Sequence, residues 1–128
     1  MFQMIVESQF SAAHAICGYA GPCRNIHGHN YRVVVHLAGS ELDALGMLID
    51  YAVVKSELNQ VLQRFDHTNL NDLDDFAERT TTSEELARLI YYRLQDTLLT
   101  TDDLRRRVRL TRVDIFETER QGVGFGDG

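Results

Sequence analysis

The single proline of this chain, Pro22, stands in a short loop with Gly18 and Gly21, and strand-like sequence lies on both sides of it. Before the loop, residues 4 to 12 alternate in part, with Met4, Val6, Ser8 and Phe10 set against Ile5, Glu7, Gln9 and Ser11. That period of two marks a strand with one buried face. After the loop, Tyr31-Arg32-Val33-Val34-Val35-His36-Leu37 is a β-branched run of the kind that packs well on a pleated surface. Glycine and proline supply the break between them. Two strands joined in this way form a hairpin, and the rest of the chain must pack against it.

The remaining pattern supplies that packing. Gly39 to Gly46 returns the chain through a turn, and Asp50 sits where a helix N-cap belongs. Apolar residues at 51, 54, 58, 61, 62 and 65 keep the helical period and give one buried stripe. A polar connection from Asp66 to Asp72 ends this helix. A second helix starts at Thr82 or Ser83, either of which can cap it, with Glu84 and Glu85 in the favourable first turn. It continues through Leu86, Leu89, Ile90, Leu94 and Leu98. Residues 107 to 118 read as a third long strand and Gly122-Val123-Gly124-Phe125 as a short fourth. This order predicts an α+β fold, a four-stranded antiparallel sheet with two helices on one face. Its open edges and bare second face are a reason to oligomerise. No repeat or linker divides the chain, so one domain over residues 1–128 is expected.

Charge narrows the function classes. A net charge of −6 argues against general nucleic-acid binding, which needs a positive field. The exception is local: Arg105, Arg106, Arg107, Arg109 and Arg112 make either a solvated strand or an anion site. No stretch is long and apolar enough to span a bilayer. The first residues lack the features of a secretory signal, so a cytoplasmic protein is expected. In that reducing setting the two cysteines are better suited to metal or catalytic work than to a disulfide. Cys17 has no such partners in sequence and reads as a small, partly buried residue.

The histidines carry the chemistry. His27-Gly28-His29 places two imidazoles at i and i+2, on one side of an extended backbone, and Gly28 lets the chain approach a metal closely. His14 ends the first strand, where the hairpin return brings it beside that pair. Three neutral imidazoles suit zinc, and three protein ligands leave a fourth position open. Unless the second strand is interrupted, His36 has the opposite parity and serves as a structural residue on the other face.

Cys23 has two readings. It can close a Cys-His-His-His site, making the metal structural, or stand free as a base with a lowered pKa. Asp66-His67 is either a helix-ending cap or a pair of proton-handling groups. Glu117 shares the parity of Val113 and Ile115, and a carboxylate on a buried face needs donors. A structural arginine or the N–H groups of a ligand could supply them.

Taken together, Phe10-Ser11-Ala12-Ala13-His14, Cys23-Arg24-Asn25-Ile26-His27-Gly28-His29-Asn30-Tyr31, Gly46-Met47-Leu48-Ile49-Asp50-Tyr51, Phe65-Asp66-His67-Thr68-Asn69-Leu70-Asn71-Asp72, Thr82-Ser83-Glu84 and Glu117-Thr118 form a highly specific series. With it the chain resembles the 6-pyruvoyl-tetrahydropterin synthase family, and most of all its bacterial 6-carboxy-tetrahydropterin synthase branch, which serves queuosine synthesis. The resemblance implies one zinc per chain on His14, His27 and His29, a catalytic thiol at Cys23, and a relay of Asp66 and His67 reaching that thiol across a subunit contact. It implies that Glu117 grips the pterin ring, with Thr82 and Ser83 lining the same pocket. It also implies the T-fold, in which three subunits join their sheets into a β-barrel and two such rings stack into a hexamer.

The implied substrate is 7,8-dihydroneopterin triphosphate, and the implied products are 6-carboxy-tetrahydropterin, acetaldehyde and triphosphate. The runner-up is the pyruvoyl synthase reaction, which eliminates triphosphate and keeps the side chain. A non-catalytic zinc module built for oligomerisation is the rival from another class. Three residues separate Cys23 from His27, as in the carboxy-tetrahydropterin branch. Thr81 stands where many relatives have proline, and the tail after Glu119 is short and glycine-rich.

Overall fold

The computed structural model describes every residue except Cys17 and Tyr19, so the expectation for Cys17 lies outside the described residues. Strand β1 covers Phe2–His14 and β2 covers His27–Gly39, paired antiparallel from Phe2 opposite Gly39 to His14 opposite His27. The hairpin is therefore longer at both ends than its alternating core suggested. Helix α1 covers Tyr51–Gln63, with the Asp50 side chain accepting from the Ala52 N–H at 2.8 Å as its N-cap. Helix α2 covers Ser83–Leu98, and of the two possible caps it is Thr82 that accepts from the Glu85 N–H.

The sheet has five strands among the described residues, not four, and it is mixed. Strand β3, Thr68–Asn69, lies in the polar connection after α1 and pairs parallel with Ala12 and Ala13 of β1. Two residues hold no readable period, which is why the connection reads as coil from sequence alone. Strand β4, Arg109–Phe116, pairs antiparallel with β2, and β5, Gly122–Phe125, pairs antiparallel with β4. The order is β3-β1-β2-β4-β5.

The expected strand start at residue 107 is also corrected. Asp102–Arg107 form a short helix, α3, whose cap Thr101 accepts from the Leu104 N–H. Asp102 and Asp103 in its first turn and three arginines in its last both complement the helix dipole. Six residues are too few to show a helical stripe, so the arginines looked like strand. Within this helix Arg105 pairs with Asp102, Arg106 with Glu41 and Asp103, and Arg107 with Asp103, whereas Arg109 and Arg112 lie exposed on β4, Arg112 beside Asp114, so the solvated-strand reading holds for those two alone.

Helices α1 and α2 cover one face of the sheet. Val6, Phe10, Tyr31, Val33, Val35, Val113 and Ile115 meet Val54, Leu58, Leu86, Ile90 and Leu94 in one core cluster. Phe10 stacks on its cross-strand partner Tyr31 with centroids 4.8 Å apart, a contact worth about 1 kcal/mol beyond its area. The other face carries Gln3, Ile5, Glu7 and Gln9, with Ile5 well exposed. His36 lies on that face, 2.7 Å from Asp114, as its parity requires. Gly39 closes β2 where backbone approaches backbone: a Cβ there would lie 2.3 Å from the Arg107 carbonyl oxygen.

Candidate active site

The hairpin register decides where the imidazoles meet. His14 and His27 are direct cross-strand partners, and His29 stands two residues along on the same face. Ring centroids lie 4.6 Å apart for His14 and His27, 5.1 Å for His14 and His29, and 4.8 Å for His27 and His29. One nitrogen from each ring falls within 4.8 Å of the other two.

The hydrogen bonds identify those nitrogens. His14 donates from Nδ1 to the Thr81 carbonyl at 2.6 Å, and His27 from Nδ1 to the Asn25 carbonyl at 2.8 Å. With the proton on Nδ1, each ring keeps a lone pair on Nε2. The Nε2 atoms of His14 and His29 are buried without a hydrogen-bond partner among the described residues, as is a third atom, the Tyr31 hydroxyl. Buried polar atoms are almost always satisfied, so two orphaned ring nitrogens aimed at one point call for a cation. Burial lowers the His29 pKa; Glu117 opposes the shift, and the other two histidines reinforce it. A neutral imidazole is the form that ligates. Burial pushes the Tyr31 hydroxyl pKa up, aided by Glu117, so it stays protonated. The donor set therefore fits a divalent transition metal with an open position.

Glu117 follows the end of β4. Its Oε1 accepts from the Ser83 hydroxyl at 2.6 Å, and its Oε2 lies 3.6 Å from His29 Nε2. That second contact exceeds hydrogen-bond length, and with His29 held neutral it is not an ion pair. No arginine is among these partners, so the structural-arginine reading of Glu117 is set aside. Ser83 opens α2 beside Thr82, whose hydroxyl is occupied as the helix cap. The two pocket-lining candidates thus do different work: Ser83 holds Glu117, and Thr82 holds the helix that carries Ser83.

Asp66 and His67 dock on Ser11 of β1. Asp66 Oδ1 accepts from the Ser11 N–H at 2.9 Å, and the His67 N–H donates to the Ser11 carbonyl at 2.6 Å. The Asp66 side chain therefore ties the connection to the sheet and is not a helix cap. Its other oxygen lies 2.9 Å from His67 Nδ1. The Ser11 hydrogen bond, then that of His67, holds the Asp66 pKa below the usual carboxylate value. His67 alone among the described non-glycine residues has a positive φ, 59°, and its ring is largely exposed. A left-handed histidine is strained enough to suggest function. His67 and His29 line one shallow depression of about 380 Å³ with Gly28, Asn30 and Thr68. Residues far apart in sequence are thus brought together within one chain. A larger groove of about 570 Å³ lies among Tyr91, Gln95 and Arg109, but it contains none of these groups. Donor chemistry marks the site better than volume.

Cys23 sits in the 3₁₀ turn Pro22–Arg24, exposed, with its carbonyl accepting from the Ile16 N–H. It lies outside the group of three converging ligands.

Comparison with known proteins decides the family. The 6-pyruvoyl tetrahydropterin synthase family model matches residues 3–126. The chain belongs to this family. It is 35% identical over 122 residues to the 6-carboxy-5,6,7,8-tetrahydropterin synthase of Bacillus subtilis (strain 168), covering 91% of this chain and 80% of that protein. It is 33% identical over 101 residues to the enzyme of the same name from Synechocystis, covering 75% of this chain and 77% of that protein. Among solved structures, the Caenorhabditis elegans 6-pyruvoyl tetrahydropterin synthase superposes with a TM-score of 0.84 at 30% identity, covering 99% of this chain and 96% of that one. The chain is thus a lyase-type enzyme of the tetrahydropterin synthase family with the family's T-fold. No helix among the described residues is long and apolar enough to cross a membrane.

Proposed function

We propose that this enzyme converts 7,8-dihydroneopterin triphosphate to 6-carboxy-5,6,7,8-tetrahydropterin, releasing acetaldehyde and triphosphate, as a zinc-dependent step towards queuosine in the cytoplasm. The observation that carries the reading is the meeting of three imidazoles, two of them with orphaned buried nitrogens, beside a carboxylate anchored by Ser83. The names of the 32–35% identical relatives support the carboxy product.

His14, His27 and His29 would hold the metal through Nε2. Bound there, zinc would supply Lewis acidity toward oxygens of the substrate side chain. Glu117 is acceptor-only when ionised and spends one lone pair on Ser83. Its remaining lone pairs can take the 2-amino and ring N–H groups of a pterin, which fixes the ring beside the histidines. Cys23, exposed and outside the ligand group, would remove the first proton as a thiolate. His67, oriented by Asp66, would handle a proton at a neighbouring carbon.

The resemblance expects this relay to come from another subunit of a hexamer built from two barrel-forming trimers. The depression shared by His67 and His29 also allows a relay within one chain. Co-refolding Cys23→Ala with His67→Ala separates the two. A shared pocket restores activity to about one quarter of wild type under random assembly, and a pocket within one chain restores none.

The pyruvoyl synthase reading keeps support from the family model and the nematode structure. Mass spectrometry of the products from 7,8-dihydroneopterin triphosphate tests the choice. A 6-carboxy product with acetaldehyde is expected, whereas a 6-pyruvoyl product would replace this reading with the runner-up. Cys23→Ala should keep the metal and lose turnover. If it loses metal as well, the non-catalytic zinc module is the better description.

A further inference from the structure

Three segments distant in sequence converge where β1 ends. His14 is the last residue of β1, and its Nδ1–H is received by the backbone carbonyl of Thr81 at 2.6 Å. That acceptor can orient the ring only if residue 81 is itself fixed relative to residue 14. Its own hydroxyl does this: Thr81 Oγ1 donates to the carbonyl of Ala15 at 3.2 Å and lies 3.4 Å from Asn71 Oδ1. The Asn71 amide takes both backbone groups of Ala15, accepting from its N–H at 2.8 Å and donating to its carbonyl at 3.0 Å. Asn71 therefore pairs with Ala15 as a strand would, prolonging β3's parallel contact with Ala12 and Ala13 past the end of the strand.

We propose that Thr81 and Asn71 form a clamp that sets the tautomer and direction of the His14 imidazole for a divalent transition metal. They are positioning residues and need not touch the metal. His27 leans on a carbonyl two residues away, in its own loop. His14 instead depends on an acceptor 67 residues distant, so its geometry exists only when the clamp is closed. Thr81 is 1% exposed, so no bulk water can replace its hydroxyl bond. Thr81 also adjoins Thr82 and Ser83, so one short stretch steers the metal ligand, the helix cap and the anchor of Glu117.

This inference rests on the metal site proposed above, and the experiment separates the two. Zinc affinity is measured by competition with a chromophoric chelator, with a melting temperature for each metal-free variant and the visible spectrum of the cobalt(II) form. Thr81→Val and Asn71→Ala should each weaken zinc binding about tenfold and shift the cobalt bands, as loss of a ligand's orienting partner does. Thr81→Ser should restore both. Thr97→Val removes a hydroxyl bonded within α2 and should leave affinity unchanged. If Thr81→Val and Asn71→Ala lower the melting temperature but bind zinc as wild type does, the network merely ends β1 and the inference fails while the metal site stands. If wild type binds no metal, the metal site itself fails and takes the clamp with it. Should Thr81→Val not fold, Asn71→Ala and Thr81→Ser carry the same comparison.

Discussion

The two ends of β2 bury polar side chains in opposite ways. At its start, His29 and its neighbour His14 keep ring nitrogens that nothing among the described residues satisfies. At its far end, Arg107 packs against Gly39 with two of its three nitrogens answered within the fold: Nε by Asp103 at 2.9 Å, and one terminal nitrogen by the carbonyls of Leu48 at 3.0 Å and Glu41 at 3.3 Å. Arg107 is only 9% exposed, and none of its nitrogens is among the buried atoms left without a partner in the described residues. Satisfied burial builds structure, and unsatisfied burial at a converging point is a place for a ligand. The two kinds of site should respond differently to substitution.

The largest effect is expected at the histidine end. Replacing His14, His27 or His29 by alanine should take bound zinc from one per chain to none by atomic emission. The partly exposed His27 and His29 should leave the melting temperature of the metal-free fold within a few degrees when replaced, whereas His14→Ala removes a side chain only 1% exposed and its bond to the Thr81 carbonyl and should lower it further. Retention of zinc in His29→Ala would break the comparison.

At the other end the outcome reverses. Gly39→Ala drives a Cβ against backbone and should cost about 2–4 kcal/mol in chemical denaturation, with zinc content unchanged in the folded fraction. Arg107→Met should cost about 2 kcal/mol by leaving two carbonyls unpaired. The same change should flatten an acid limb. The Arg107 hydrogen bond, reinforced by Arg106, holds the Asp103 pKa below its ordinary 3.8. That contribution is complete above the ordinary value and disappears as pH falls through the lower, folded one. The smallest effect belongs to His36→Ala: its bond to Asp114 lies on the open face, and zinc content should not move.

Residues differed in how legible they were. The hairpin, both long helices and the triad followed from short-range periods and from parity. Asp50 and Thr82 announced their helices by side-chain chemistry that acts within one turn. Strand β3 and helix α3 were missed because two and six residues cannot display a period, and strong local charge disguised the second. Glu117 was found by parity, but its partner Ser83 lies 34 residues away in sequence, and no local signal joins them. Likewise nothing short of the fold connects Thr81 to His14. A left-handed backbone at a histidine, as in residue 67, leaves no mark in composition.

The uninterrupted register of the β1–β2 hairpin has a kinetic consequence. All three ligands lie between residues 14 and 29, so zipping one antiparallel pair is enough to gather them. Contacts this local form early, whereas joining Val33 to Ile115 closes most of the chain and comes late. Ser83, Glu117 and the Thr81 acceptor arrive with that second phase. A nascent chain should therefore capture its cation weakly before its core has condensed and tighten its hold once α2 docks. Stopped-flow refolding with cobalt(II) should show an absorbance change ahead of the burial of Tyr91, followed by a slower sharpening that Asn71→Ala removes.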